Sequence, residues 1–290
     1  MILITDGGST KCDWIAIGKD GKQVADKIRT KGLNPAIIEE KKLKKIVRKS
    51  EELMVLANDV THVFFYGAGC GTEKPRLLLK SILEIYFPKA LVEVREDTYA
   101  AVRACINSNV EKAVVCILGT GSNCSYFNGK DLEQRVSSLG FILMDDASGN
   151  YFGKQLIRDY YFNKMPQTIK LAFEHKHNLE ADFIKYNLYK QPNASAYLAD
   201  HAEFMFLNKD SDYITETIKK GIRVFTENMI LQFKAELDNG ALVHFAGSIA
   251  YFAQKEISEV AEEYGFKVGN FVRRPIDGLV DYHVKNLKVI

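Results

Sequence analysis

The chain reads as an α/β protein of two lobes, and three observations carry that reading. Apolar strand-like runs alternate with helical patterns through the first half. A strand, glycine-hydroxyl turn and second strand occur at the N-terminus and again after residue 112. Between about residues 150 and 238 the apolar period is almost wholly helical, as an insertion into the second copy would be. At 290 residues and 47% hydrophobic content the chain can bury a core for two domains. The expected division is 1–111 for the N-terminal lobe and 112–290 for the C-terminal lobe, its last segment a candidate to pack back on the first.

Each element has its own signal. "MILIT" and "WIAIG" are apolar runs that flank the turn "DGGSTKCD". A long amphipathic helix is expected from about Pro35 to Ala57, then the strand "HVFFYGAG", a helix from Pro75 to Tyr86 and the strand "ALVEVRE". The helix "TYAAVRACIN" precedes the strand "KAVVCILG". After the helical stretch, the strand "ALVHFAG" leads into the helix "SIAYFAQKEISEVAEEYG". Strands alternating with helices point to a largely covered sheet.

Bulk properties exclude several classes. A net charge of +2 leaves no basic stripe of the kind a nucleic-acid binder needs. The Lys-rich run "EEKKLKKIVRKSEE" is flanked by acids and reads as a solvated helix face. Cys12, Cys70, Cys105, Cys116 and Cys124 are odd in number and lack CxxC spacing, which suits reduced thiols. No apolar run approaches 18 residues and the N-terminus has no signal-like pattern, so the cytoplasm is expected.

The repeat is faint but ordered. Gly8-Ser9 and Gly121-Ser122 lie 113 residues apart, and the "GKD" turns at Gly18 and Gly129 lie 111 apart. Duplication and two unrelated hairpins with turn-typical residues explain this equally well. Chemically, glycines let several backbone N–H groups approach one anion, and Ser, Thr and Lys11 add donors and charge. Asp6 would be misplaced beside a bare phosphate but suits a Mg²⁺ that also takes phosphate oxygens. Neither hairpin is a P-loop or a dinucleotide fingerprint. A third turn, "FAGSIA" at Gly247-Ser248, joins a buried strand to a helix.

"DGGSTKCDW", "LGTGSNCSYF" and "FAGSIA", in this order, resemble the two phosphate motifs and the adenosine motif of the actin-like ATPase fold. The nearest likeness is to N-acetylglucosamine kinase and the wider BadF/BadG/BcrA/BcrD ATPase family, over most of the chain. "GLNPA", "REDTYAAVRA" and "LGFILMDDASGNYFG" add sugar-site and strand-end segments similar to that family. The resemblance implies two ribonuclease H-like lobes with a nucleotide cleft between them. It implies ATP and Mg²⁺ as cofactors, a sugar as partner, and neither nucleic acid nor membrane. A homodimer is a family expectation.

Residue roles follow from the same likeness. Asp97 ends a strand and opens a helix, where α/β sheets present ligand contacts. From spacing alone it reads equally as an N-cap or as a base for a sugar hydroxyl; the resemblance implies the base. Asp6 would orient Mg²⁺ through water. Gly7, Gly8, Ser9, Thr10 and Lys11 would form the first phosphate loop, with Thr10 and Lys11 at the β- and γ-phosphates. Gly119, Thr120, Gly121, Ser122 and Asn123 would wrap the phosphates, and Gly247 and Ser248 would lie against adenosine. Asn34, Asp97 and Asp146 would contact the sugar, although Asn34 before Pro35 could also start a helix.

The family has Gly before that last Asp, and Trp and His upstream. Here stand Asp145, with Leu139, Phe141 and Ile142, which bears on the sugar's identity. His175 and His177 read as a polar helix end, and no zinc cluster is expected. "RRPIDGLVDYHVKN" resembles a tail segment that packs between the domains, with His283 in the core or on the surface. The expected activity is ATP-dependent phosphoryl transfer to a hydroxyl of an amino sugar, with N-acetylglucosamine the family default and N-acetylmuramic acid, glucosamine and glucose open. The alternative is a BadF-type ATPase that activates a partner enzyme, for which Cys70 and Cys105 are the candidate cluster ligands.

Overall fold

The computed structural model describes residues 1–8, 11–106, 108 and 111–286; Ser9 and Thr10 of the first phosphate loop lie outside them. The chain divides into two compact units, residues 1–104 with 274–290, and residues 105–273.

The first unit is built on a sheet of β1 (Ile2–Gly7), β2 (Lys11–Ile17), β3 (Ile28–Lys31), β4 (His62–Gly67) and β5 (Leu91–Arg95), in the order β3-β2-β1-β4-β5. β1 pairs antiparallel with β2 and parallel with β4. Alternation along the strands separates two apolar faces. Leu3, Cys12, Trp14, Ala16, Val63 and Phe65 enter one cluster with α1 (Glu40–Arg48), α2 (Glu51–Leu56) and α3 (Glu73–Tyr86). Ile2, Ile4, Ile15, Ile17, Phe64 and Tyr66 face the other way, against α4 (Asp97–Cys105) and the C-terminal helix.

The second unit repeats the plan with β6 (Ala113–Leu118), β7 (Ser122–Phe127) and β8 (Leu132–Glu133). The helical stretch follows as α5 (Gly149–Tyr161), α6 (Gln167–Lys176), α7 (Ala181–Tyr189), α8 (Ala194–Asp200), α9 (Glu203–Leu207), α10 (Asp212–Asn228) and α11 (Lys234–Asp238). β9 (Leu242–Ala246), α12 (Ser248–Phe252), α13 (Gln254–Tyr264) and β10 (Val268–Val272) complete it, with sheet order β10-β9-β6-β7-β8. α14 (Pro275–Asn286) belongs to the first unit, where Ile276 and Leu279 join its second apolar cluster. A buried polar chain fastens it. Arg103 pairs with Glu93 at 2.9 Å and donates to the Tyr66 hydroxyl, which lies 2.8 Å from His283 Nε2. An arginine can only donate, so the phenol keeps its own proton for the histidine.

Several expectations meet a different local structure. The helix expected over 35–57 begins at Glu40 and breaks at Ser50, whose extended backbone (ψ 97°) starts α2 with two acids in its first turn. Residues 34–37 instead form a turn, because Asn34 Oδ1 accepts the Ala36 N–H at 3.0 Å. The helix after Gly247 breaks at Ala253 into α12 and α13. The strands β3, β8 and β10 carry no clear alternation and take their form from neighbours. His175 is exposed at the helix end, whereas His177 turns inward and stacks on His201 at 4.5 Å. Burial, with His201 next, holds its pKa near 4.

Candidate active site

In the first unit the site residues sit at the C-terminal ends of parallel strands. Asp6 is the penultimate residue of β1 and stands opposite Asp13 of β2 and Tyr66 of β4. Two acids facing across a ladder repel each other. Asp13 is neutralised by Arg29 at 2.6 Å and Lys27 at 3.4 Å, and its pKa is lowered, chiefly by Arg29. Asp6 has no such ion pair among the described residues; burial, then Asp97 and Asp13, raise its pKa to about 6 against a weaker lowering by Lys11. Gly7 is packed on the Phe65 ring, where a Cβ would fall 2.6 Å from the nearest ring carbon. Lys11 opens β2 on the exposed side.

A half-buried carboxylate flanked by further acids fits a cation. No group of three or more metal-ligating side chains occurs among the described residues. Mg²⁺ suits such a position, since it takes few protein ligands and completes its shell with water and phosphate.

Asp97 is the first residue of α4, separated from the end of β5 only by Glu96. Its side chain reaches solvent, yet the surrounding protein raises its pKa by desolvation against weaker lowering by the backbone N–H groups of Thr98 and Asp97. Asn34 is 8% exposed and lies against the loop that follows β4. Thus Asp6, Asp97 and Asn34 all belong to one unit and lie at or just beyond strand ends of one sheet.

In the second unit three segments meet at the end of β6. Gly119 N–H bonds the Gly121 carbonyl at 3.0 Å, closing the turn. Gly149 and Asn150 at the start of α5 donate backbone N–H groups to the Gly119 and Thr120 carbonyls, at 2.8 and 3.0 Å. Gly247 has φ +110°, and a Cβ there would overlap the Leu118 carbonyl oxygen, so only glycine fits without strain. Ser248 opens α12. Ser122 and Asn123 open β7, and the Asn123 amide oxygen accepts from Ser125 Oγ at 3.1 Å.

The structure also gives the two adjacent aspartates different surroundings. Asp145 lies over the Gly119–Asn123 turn, its Oδ2 2.8 Å from where a Gly121 Cβ would be. It accepts from Asn150 Nδ2 at 3.0 Å, and that amide also donates to the Thr120 carbonyl at 2.7 Å. Asp146, the expected sugar contact, accepts from Asn228 Nδ2 at 2.9 Å. Asp145 (φ +67°) and Ala147 (φ +56°) hold left-handed backbone conformations, the strain that accumulates at ligand loops. The doubled Asp was the sequence signal; which carboxylate touches the turn needed coordinates. A concavity of about 880 Å³ between β3, α1 and α2, lined by Lys31, Lys42 and Lys45, contains none of these site residues.

No protein-family model and no curated protein sequence matches the chain. Solved structures do. A candidate N-acetylglucosamine kinase from Porphyromonas gingivalis is similar over 99% of both chains, with 31% identity and a TM-score of 0.87. A glucokinase of the ROK family from Streptomyces griseus, solved with glucose and AMPPNP, shares the fold at a TM-score of 0.55 and 14% identity, over 97% of each chain. A candidate sugar kinase from Cytophaga hutchinsonii does so at 0.59 and 13%, over 97% of this chain and 98% of its own. With its duplicated sheet and two glycine hairpins, the chain belongs to the N-acetylglucosamine kinase-like family of sugar kinases, on the actin-like ATPase fold.

Proposed function

We propose that the protein transfers the γ-phosphoryl group of ATP to a hydroxyl of an amino sugar, with N-acetylglucosamine as the leading acceptor. The observation that carries this reading is Asp97, a carboxylate of raised pKa at a strand end in the unit that also holds Asp6 and Asn34. A base needs a pKa high enough to accept the hydroxyl proton as the phosphoryl group arrives. Desolvation moves Asp97 in that direction.

The remaining residues position and neutralise. Lys11 with Gly7 and Gly8 meets the phosphates from the first unit, and the Gly119–Asn123 turn with Gly247 and Ser248 serves nucleotide binding from the second. Ser9 and Thr10 complete the first loop on this reading. Asn34 and Asp146 orient the sugar. Mg²⁺ bound through Asp6 supplies charge neutralisation to the transferring group. Most of the rate enhancement then comes from orientation, with Asp97 adding proton transfer. Five buried free thiols suit a reducing compartment such as the cytoplasm. A homodimer is part of the same reading, and light scattering on the eluted protein tests it.

The first experiment is ADP release from Mg-ATP across hexoses and N-acetylated amino sugars, with a sugar-free blank. Strong stimulation by one sugar is expected and names the acceptor. A slow turnover indifferent to every sugar would overturn the reading and favour activation of a partner protein.

A further inference from the structure

The loop after β4, Ala68-Gly69-Cys70-Gly71-Thr72, holds two polar side chains that arrive from other elements. At Gly69, φ is +79° and a Cβ would overlap Asn34 Oδ1. Glycine is therefore what leaves room for the buried Asn34 amide. Two residues on, a Cβ at Gly71 would fall 2.6 Å from Glu96 Oε2. Glu96 follows β5 and immediately precedes Asp97. Its carboxylate has no ion pair or hydrogen-bond partner among the described residues. Cys70, between the two glycines, is buried, and the pKa of its thiol is raised first by burial and then by Asp97 and Glu96, with Arg76 a smaller opposing charge. Both carboxylates thus lie within electrostatic reach of this loop.

An unpaired Glu beside the base raises the local negative potential, which opposes ionisation of its neighbours. Its two oxygens are acceptors only, suited to a pair of hydroxyl donors on adjacent carbons of a sugar. A sugar carrying its own carboxylate would meet like charge there, with no local cation paired to Glu96. We propose that Glu96 is a further acceptor-binding residue, held by Gly71 as Asn34 is held by Gly69, and that it selects uncharged hexoses over those bearing a carboxylate. This rests on the sugar-kinase reading above.

The test compares KM and kcat for N-acetylglucosamine and N-acetylmuramic acid in wild type, Glu96→Gln and Gly71→Ala, with ATP affinity measured alongside. Wild type is expected to favour the neutral sugar. Glu96→Gln should raise its KM by about 10–100-fold, the range for a lost hydrogen bond to a charged group, and narrow the gap to the anionic sugar. ATP affinity should hold. Gly71→Ala should give a similar KM rise with Glu96 intact, because the added methyl meets only the far end of a flexible side chain and the fold survives. Unchanged KM and selectivity in either active variant would overturn the role of Glu96, as would a wild type that accepts both sugars equally. If no hexose stimulates ADP release, the kinase reading itself falls and takes this one with it.

Discussion

In the first unit the strand ends carry Asp6, Glu96 and Asp97; in the second, Gly119 stands at the place of Asp6 in the 113-residue repeat, and β10 runs into Arg273 and Arg274. Around this difference the architecture is the same. Both sheets run short edge strand, hairpin strand, first strand and two further parallel strands, and in both the first two strands are antiparallel. A Cβ at Gly119 would meet nothing within 4 Å, so the second copy offers open backbone where the first offers a carboxylate. On the proposed reading, one topology serves two kinds of chemistry: cation and proton handling in the first unit, backbone contact with phosphate in the second. What distinguishes them is a few side chains at strand ends, since the strand interiors of both are committed to core packing.

The sharpest way to break this contrast is Asp97→Ala. It should lower kcat by about 10²–10⁴-fold, the range for a lost general base, while ATP still binds. Loss of ATP binding with turnover per bound nucleotide preserved would contradict the division of labour. Next in size, Gly247→Ala places a methyl against the Leu118 carbonyl at a φ of +110°. It should destabilise the second unit by about 1–3 kcal/mol and weaken ATP binding more than it slows the bound complex. Calorimetric unfolding with nucleotide titration reads both effects, and an unaltered melting profile would remove Gly247 from the turn's support.

The last prediction concerns how the tail is held, and its effect appears only at acid pH. His283 is buried against Phe64 and Tyr66, and burial, then Arg103, lowers its pKa from 6.5 to about 3. A depressed folded-state pKa contributes stability that is complete above pH 6.5 and is lost as pH falls toward 3. Over that window its share of the slope approaches about 1.4 kcal/mol per pH unit. His283→Gln removes the titration, so its acid unfolding should be flatter than wild type between pH 6 and 4. Parallel pH profiles would show that the tail's attachment does not depend on a neutral imidazole.

Much of this was legible in the residues. "MILI", "WIAI" and "VFFY" are short continuous apolar runs, and the glycine turns at Gly7 and Gly121 interrupt such runs, so strands and hairpins announce themselves locally. The order of motifs pointed to a sugar kinase, and the kinship with the Porphyromonas protein agrees. The helix expected from Pro35 failed because a single Asx turn at Asn34 outcompetes weak periodicity in its first residues. In the loop after β4 the sequence marks Cys70 as a candidate ligand, whereas the flanking Gly69 and Gly71 carry the geometry.

The sequence by itself determined the elements with strong period, the two glycine hairpins and the presence of Asp97 at a strand-to-helix junction, because those signals act between neighbours along the chain. Only the tertiary structure decided that α14 joins the first unit through Tyr66 and Arg103, that Asp145 rather than Asp146 lies on the Gly119–Asn123 turn, and that Gly71 makes room for Glu96. Those facts depend on contacts across 24 to more than 200 residues, where a side chain's role is set by what packs against it rather than by its own type.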